Sequence, residues 1–263
     1  MFEYEFMRNA FAASALVAIV AGCAGYFLVL RAQTFAGHAL AHVGFAGATG
    51  AVLLGVSPLW GMLLITVVAG AGMGLLGERL EGRDVAIGIV LALALGFGLL
   101  FLHFYTSYAA QASALLFGDL LAVDRHTLYV LCALTVLSLA ALATVSRPLL
   151  FSTLQPEVAE ARGLSLRLMS VLFLIIVAVV TAEAAQIVGV LLVFGLMVAP
   201  AAAAQRLTRA LGWGLITSVV LALADSWAGL TLAYYTDWPS SFWIVSLGAL
   251  TYLFAVLLVP DRR

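Results

Sequence analysis

Long apolar runs separated by short polar stretches make up most of this chain. A run of about 20 apolar residues, wound as a helix, matches the hydrocarbon thickness of a bilayer. Nine such runs can be drawn, over residues 10–30, 37–56, 59–77, 85–105, 127–146, 168–183, 187–204, 213–234 and 241–259. They predict an all-α polytopic membrane protein of nine transmembrane helices. Eight is the alternative, if 168–204 is one long broken segment. Little chain is left for anything but short loops, so residues 1–263 read as a single transmembrane domain.

The polar breaks carry a second pattern. With the N-terminus outside, Arg31, Arg79, Arg83, Arg147, Arg162, Arg167, Arg206, Arg209, Arg262 and Arg263 fall on the cytoplasmic side, and only Arg8 and Arg125 fall outside. This asymmetry follows the positive-inside rule, supports an odd number of crossings and puts the C-terminus in the cytoplasm. Residues 108–122 are amphipathic and too short to span, which suggests an interfacial or re-entrant helix on the outer side. Asp119 within it lines an outer vestibule or simply faces water. Pro58, Pro148, Pro156, Pro239 and Pro260 lie at run edges, whereas Pro200 interrupts an apolar run and predicts a kink or an early end. Glycine clusters at Gly44, Gly47, Gly50 and at Gly70, Gly72, Gly74, Gly77 predict close helix approach. Val20-Ala21-Gly22-Cys23 looks like a lipoprotein processing site, but the leader before it is acidic, so a first membrane helix is the better reading.

Composition sharpens the picture by exclusion. The chain is 65% hydrophobic and 10% charged, with a mean hydropathy of +1.16, far from the make-up of a soluble domain. A net charge of -1 offers no basic face for nucleic acid. All twelve basic residues are arginine. Without lysine there is neither a phosphate-binding P-loop nor a Schiff-base amine, so any ATP hydrolysis belongs to another chain. Cys23 and Cys132 lie far apart inside apolar runs and suggest no disulfide framework.

Ionisable groups within spans are expensive, and each is a functional candidate. His38 and His42 stand one helical turn apart, on one face, where two imidazoles can share a first-row divalent ion. The plain alternative is a pair of histidines bonded to helix carbonyls. Asp225, near the middle of the eighth run, is the candidate third metal ligand or a separate polar point on a pathway. Glu183, at the outer end of the sixth run, is expected to be solvated, and His103 and His126 to be structural or solvated. Residues 155–163 form the core of the longest cytoplasmic loop, a short surface helix begun near Pro156 and stopped at Gly163. They suit docking of a soluble partner, or are an ordinary loop.

Five stretches carry a resemblance. RAQTFAGHALAH at 31–42 resembles the start of the second span in permeases of bacterial zinc and manganese ABC importers, which are type II ABC importer-like. FGDLLAV at 117–123, QPEVAEARG at 155–163, VGVLLVFGLMVAPAAAA at 188–204 and DWPS at 237–240 are similar to further segments of that family, in the family's order. The resemblance implies a multi-pass protein of the bacterial inner membrane that binds no cofactor itself. It implies partner ATPase subunits that use the ATP, an extracytoplasmic metal-binding protein and a second permease, in a homodimer, with a heterodimer as the alternative. It implies a coupling role for Pro156, Glu157, Ala159 and Gly163, and a transient metal site at His38 and His42, where His38 replaces the family's usual aspartate. Asp237 falls in the last motif and is a candidate for the outer vestibule, though Ser241 stands where glycine is usual. Two imidazoles favour Zn2+ as the transported substrate, since manganese prefers oxygen ligands. Manganese or iron is the alternative in the same kind of importer. An ion-coupled secondary metal transporter would need more carboxylates within spans than Asp225 supplies. A membrane metalloenzyme lacks an HExxH motif and a third deep histidine.

Overall fold

The computed structural model describes residues 3–76, 82–104, 116–118, 120, 123–190 and 193–259. These residues form helices, in the order α1 (Glu5–Leu30), α2 (Thr34–Leu53), α3 (Pro58–Leu75), α4 (Arg83–His103), α5 (Arg125–Leu154), α6 (Pro156–Ala161), α7 (Leu166–Val188), α8 (Val193–Leu207), α9 (Leu211–Thr236) and α10 (Ser240–Leu258). Among the described residues, seven are long and apolar enough to cross a membrane: α1, α3, α4, α5, α7, α9 and α10. The expected nine therefore do not all qualify on length and apolarity. The exceptions are α2, diluted by two histidines and several glycines, and α8, only 15 residues long. Both lie inside the bundle, where neighbouring helices replace lipid and the demand for a wholly apolar surface is relaxed.

Small residues set how closely the helices approach. Without a hydrophobic drive between helices in lipid, close backbone packing and interhelical hydrogen bonds hold a membrane bundle together. Gly70 of α3 lies against the backbone of Leu174 in α7, and Gly74 against Val171. Thr66 Oγ1 bridges the same two helices, donating to the Ala178 carbonyl at 3.3 Å. Gly22 of α1 abuts Ser218 and Val219 of α9, where Ser218 Oγ donates to the Gly22 carbonyl at 2.8 Å. Gln205 Nε2 of α8 donates to the Tyr26 carbonyl of α1 at 2.9 Å. α1 and α7 are accordingly buried over most of their length, whereas α4, α5 and α10 turn broad apolar faces outward.

Contacts between distant helix ends fix relative direction. The start of α5 meets the start of α1, through Arg125 Nε and Glu5 Oε1 at 2.6 Å and through Asn9 Nδ2 donating to the Val123 carbonyl at 3.2 Å. Their far ends meet at Arg31, so α1 and α5 run in the same direction. α9 runs opposite to α1, with Ser218 beside Gly22 and Trp227 Nε1 donating to the Phe11 carbonyl at 3.3 Å. α7 runs opposite to α5: Phe173 lies by Arg31 at one end, and Glu183 bonds Thr135 toward the other.

Helix ends follow local chemistry with two departures. Asp124 caps α5, accepting from the Thr127 amide at 2.8 Å; the Thr127 hydroxyl and amide hold this carboxyl below the ordinary carboxylate range. Gly189, at φ 89, ends α7, which runs on through the gap expected at 184–186. Pro148, expected at a helix edge, lies inside α5, which continues to Leu154. The proline frees only the Thr144 carbonyl on an exposed face, while Leu149 and Ser152 beyond it are buried against the bundle. Pro200 likewise lies inside α8 and does not end it.

Candidate functional site

His38 and His42 are the fifth and ninth residues of α2, which the small residues Gly37, Ala39, Ala41 and Gly44 allow to sit deep among its neighbours. Their rings meet edge to face, with centroids 4.7 Å apart and planes at 89°. His42 is 8% exposed and His38 is half-buried. Phe194, in the first turn of α8, lies edge-on to His38 at 5.0 Å and closes one side of the pair. Both Nδ1 atoms are buried without a hydrogen-bond partner. That counts against the plain reading, in which the imidazoles bond helix carbonyls through Nδ1. Two imidazoles are fewer than the four ligands of a closed zinc site, so a pair of this kind is a donor set suited to weak holding and release.

The other expected residues are placed as follows. Asp225 lies on the α9–α10 side. Its Oδ1 accepts from Thr251 Oγ1 at 3.0 Å, and its Oδ2 is buried next to Gly248 with no partner. Among the described residues, no three His, Cys, Asp or Glu side chains form a group able to hold a metal ion, so Asp225 does not complete a cluster with the histidines. Asp237 ends α9 in a left-handed conformation at φ 57. It borders a cavity of about 530 Å3 with Phe6, Phe117, Tyr234 and Trp238. Asp119 and most of the 108–122 segment lie outside the described residues. Where that segment is described, Gly118 at φ 78 presses on the backbone of Val188 and Gly189 at the end of α7, leaving no room for a Cβ.

Within 155–163, α6 is exposed at Glu157 and Val158, and Gly163 at φ 85 reverses the chain. Ala159 is fully buried, so it seats the segment on the bundle and does not face a partner. Arg162 stacks on Phe151 at 5.5 Å, closing the segment onto the end of α5.

Two findings were not anticipated from the residues. Glu183, expected to be solvated, has no exposed surface; Thr135 Oγ1 of α5 donates to its Oε1, while Oε2 has no partner. Its position near a helix end was the misleading cue, because α1 and α5 extend past it. Arg31 is also buried, at 8% exposure, although read as a cytoplasmic loop charge. Burial and the neighbouring Arg83 push its guanidinium down to about 10, so it remains cationic at neutral pH.

The profile described as the ABC 3 transport family matches residues 3–259. The manganese transport system membrane protein MntC of Halalkalibacterium halodurans is 28% identical over 263 residues, covering 100% of this chain and 90% of that protein. The manganese import system permease protein ScaB of Streptococcus gordonii is 26% identical over 262 residues, covering 99% and 94%. Among solved structures, PsaBC from Streptococcus pneumoniae in complex with Fab has the same fold. Its TM-score is 0.87 at 24% identity, covering 99% of this chain and 94% of that one.

Proposed function

Because the chain belongs to the ABC 3 transport family, as a permease and not an enzyme, we propose that it carries a divalent transition metal ion, manganese first, through the membrane of an ATP-driven importer. The observation that carries the site is the buried His38–His42 pair with both Nδ1 atoms unpartnered. The names of the relatives from Halalkalibacterium halodurans and Streptococcus gordonii put manganese ahead of the zinc that ligand softness alone suggested. Zinc is the second reading, favoured by one observation: the pair offers nitrogen only, with no carboxylate grouped beside it among the described residues.

Helix directions support nine crossings. α1 and α5 run in the same direction, which requires an odd number of crossings between them, and α2 supplies the third beside α3 and α4. α7 and α9 both run opposite to that pair, which fits a crossing by α8 between them. With the N-terminus outside, the arginine asymmetry is satisfied and α6 faces the cytoplasm.

In this reading, an extracytoplasmic metal-binding protein delivers the ion to the outer side, where Asp237 borders the aromatic cavity. The ion passes to the level of His38 and His42. Asp225 serves as a separate carboxylate on the α9–α10 side and not as a shared ligand. Partner ATPase subunits engage 155–163 through the exposed Glu157, with Pro156 and Gly163 setting the bounds of the segment and Ala159 anchoring it. A second copy of the chain completes the membrane unit.

The test is uptake of radioactive manganese and zinc by cells lacking this chain, rescued by the wild type or by the His38→Ala/His42→Ala double variant. Manganese uptake restored by the wild type and lost in a normally inserted double variant supports both cargo and site. Rescue of zinc uptake alone selects the second reading. Full rescue by the double variant removes the histidines from the path.

A further inference from the structure

A single buried guanidinium holds both arms of the cytoplasmic segment. Arg31 Nη1 donates to the Leu149 carbonyl at 3.3 Å, to Ser152 Oγ at 3.3 Å and to Thr153 Oγ1 at 2.6 Å, all in the last turns of α5. Its guanidinium carbon also lies 5.5 Å from the centroid of Phe173, in the second turn of α7. α6 hangs between these two helices and closes on α5 through Arg162 and Phe151. A displacement of α6 therefore reaches Arg31 through the helix before it and the helix after it.

On its own chain, Arg31 sits at the end of α1, directly before the turn into the helix that bears His38 and His42. That turn is tight. The amide of Ala32 donates to the Val29 carbonyl at 3.0 Å and the amide of Gln33 to the Leu28 carbonyl at 3.0 Å, with Ala32 at φ 53. This is the arrangement that normally takes glycine, and a residue with a Cβ adopts it reluctantly. The turn that aims α2 is thus held under local strain right beside the guanidinium clamp.

We propose that Arg31 is a positioning residue that transmits movement of the 155–163 segment to the metal-holding helix α2. Static packing alone does not call for a cation here, since a buried charge costs desolvation that an apolar side chain of similar size would avoid. A planar, always-charged fork with several fixed donors orients three helix ends relative to one another, which an apolar contact cannot do. The proposal rests on the reading that ATPase subunits act on 155–163.

The test uses the permease reconstituted with its ATPase subunits in proteoliposomes, with metal uptake and ATP hydrolysis measured together and melting followed in parallel. In Arg31→Met, metal moved per ATP should fall by about tenfold or more, as expected for loss of a set of charged hydrogen bonds. Hydrolysis and melting should stay at wild-type levels. Thr153→Val should give a smaller loss, and the double variant should be no worse than Arg31→Met alone, because both remove one linkage. An unchanged ratio of uptake to hydrolysis in Arg31→Met overturns the proposal, as does a fall of both rates in step with melting. If Arg31→Met does not assemble, an unchanged ratio in Thr153→Val overturns it. A wild-type complex that hydrolyses ATP without moving metal would bring down the functional reading itself, a result distinct from either of these.

Discussion

Replacing Gly70 by alanine tests the packing logic of the bundle. A Cβ at Gly70 would lie 2.6 Å from the Leu174 carbonyl oxygen, 3.1 Å from its carbon and 3.2 Å from Ala178 Cβ. A carbon–oxygen contact relaxes near 3.3 Å, so α3 and α7 must separate by about 0.7 Å. The Thr66–Ala178 bond, already 3.3 Å long, is lost by that movement. Overpacking of this kind costs about 1–3 kcal/mol, and the lost interhelical bond about 0.6 kcal/mol. Against this stands a gain of about 1 kcal/mol in helix propensity for alanine over glycine. The net expectation for Gly70→Ala is a loss of about 1–2 kcal/mol. Gly72, half a turn further along the same helix, has nothing within 4 Å of a new Cβ, so Gly72→Ala keeps the propensity gain without the clash. Denaturant unfolding of the purified protein in mixed micelles should therefore place Gly72→Ala above the wild type and Gly70→Ala below it. If Gly70→Ala proves as stable as Gly72→Ala, glycine does not set the α3–α7 approach and the reasoning fails.

Two further outcomes can be checked in the same format. Ala32→Gly should raise stability by up to about 1 kcal/mol, because the left-handed turn residue then carries no Cβ penalty, and a drop in the unfolding midpoint would refute the strain argument. Glu183→Gln keeps an acceptor for the Thr135 hydroxyl and should stay within about 1 kcal/mol of the wild type. Glu183→Ala leaves a buried hydroxyl unpaired beside a void and should lose about 2–4 kcal/mol. Equal damage from both would mean that the ionisable carboxyl itself is needed, and metal uptake by Glu183→Gln would then locate that need in transport or in folding.

The residues that sequence reasoning placed well are those whose signal is local. The i, i+4 spacing of His38 and His42 is enough to stack them on a helix, and the structure brings their rings to 4.7 Å. Pro156 with Gly163 bounds a short helix, because backbone preference acts on one residue at a time. Pro148 was misjudged for the complementary reason, and Pro200, expected to kink or end its helix, does not end it. A proline inside a helix is tolerated when the rest of the helix is held by packing that no local rule records.

Run length and arginine placement in the linear chain were sufficient for an all-α membrane protein of many helices. The i, i+4 spacing was likewise sufficient to set His38 and His42 against each other. What the tertiary structure decided was the environment of each polar group. Glu183 looked like a helix-end charge and is sealed against Thr135; Arg31 looked like a loop cation and clasps the ends of α5 and α7; Asp225, read as a third ligand or a separate polar point, bonds Thr251 and fits the second reading. In every case the partner lies on another helix, between 26 and 142 residues away in the chain. Helical periodicity reports which residues share a face. Only the packing of whole helices against one another determines what that face meets.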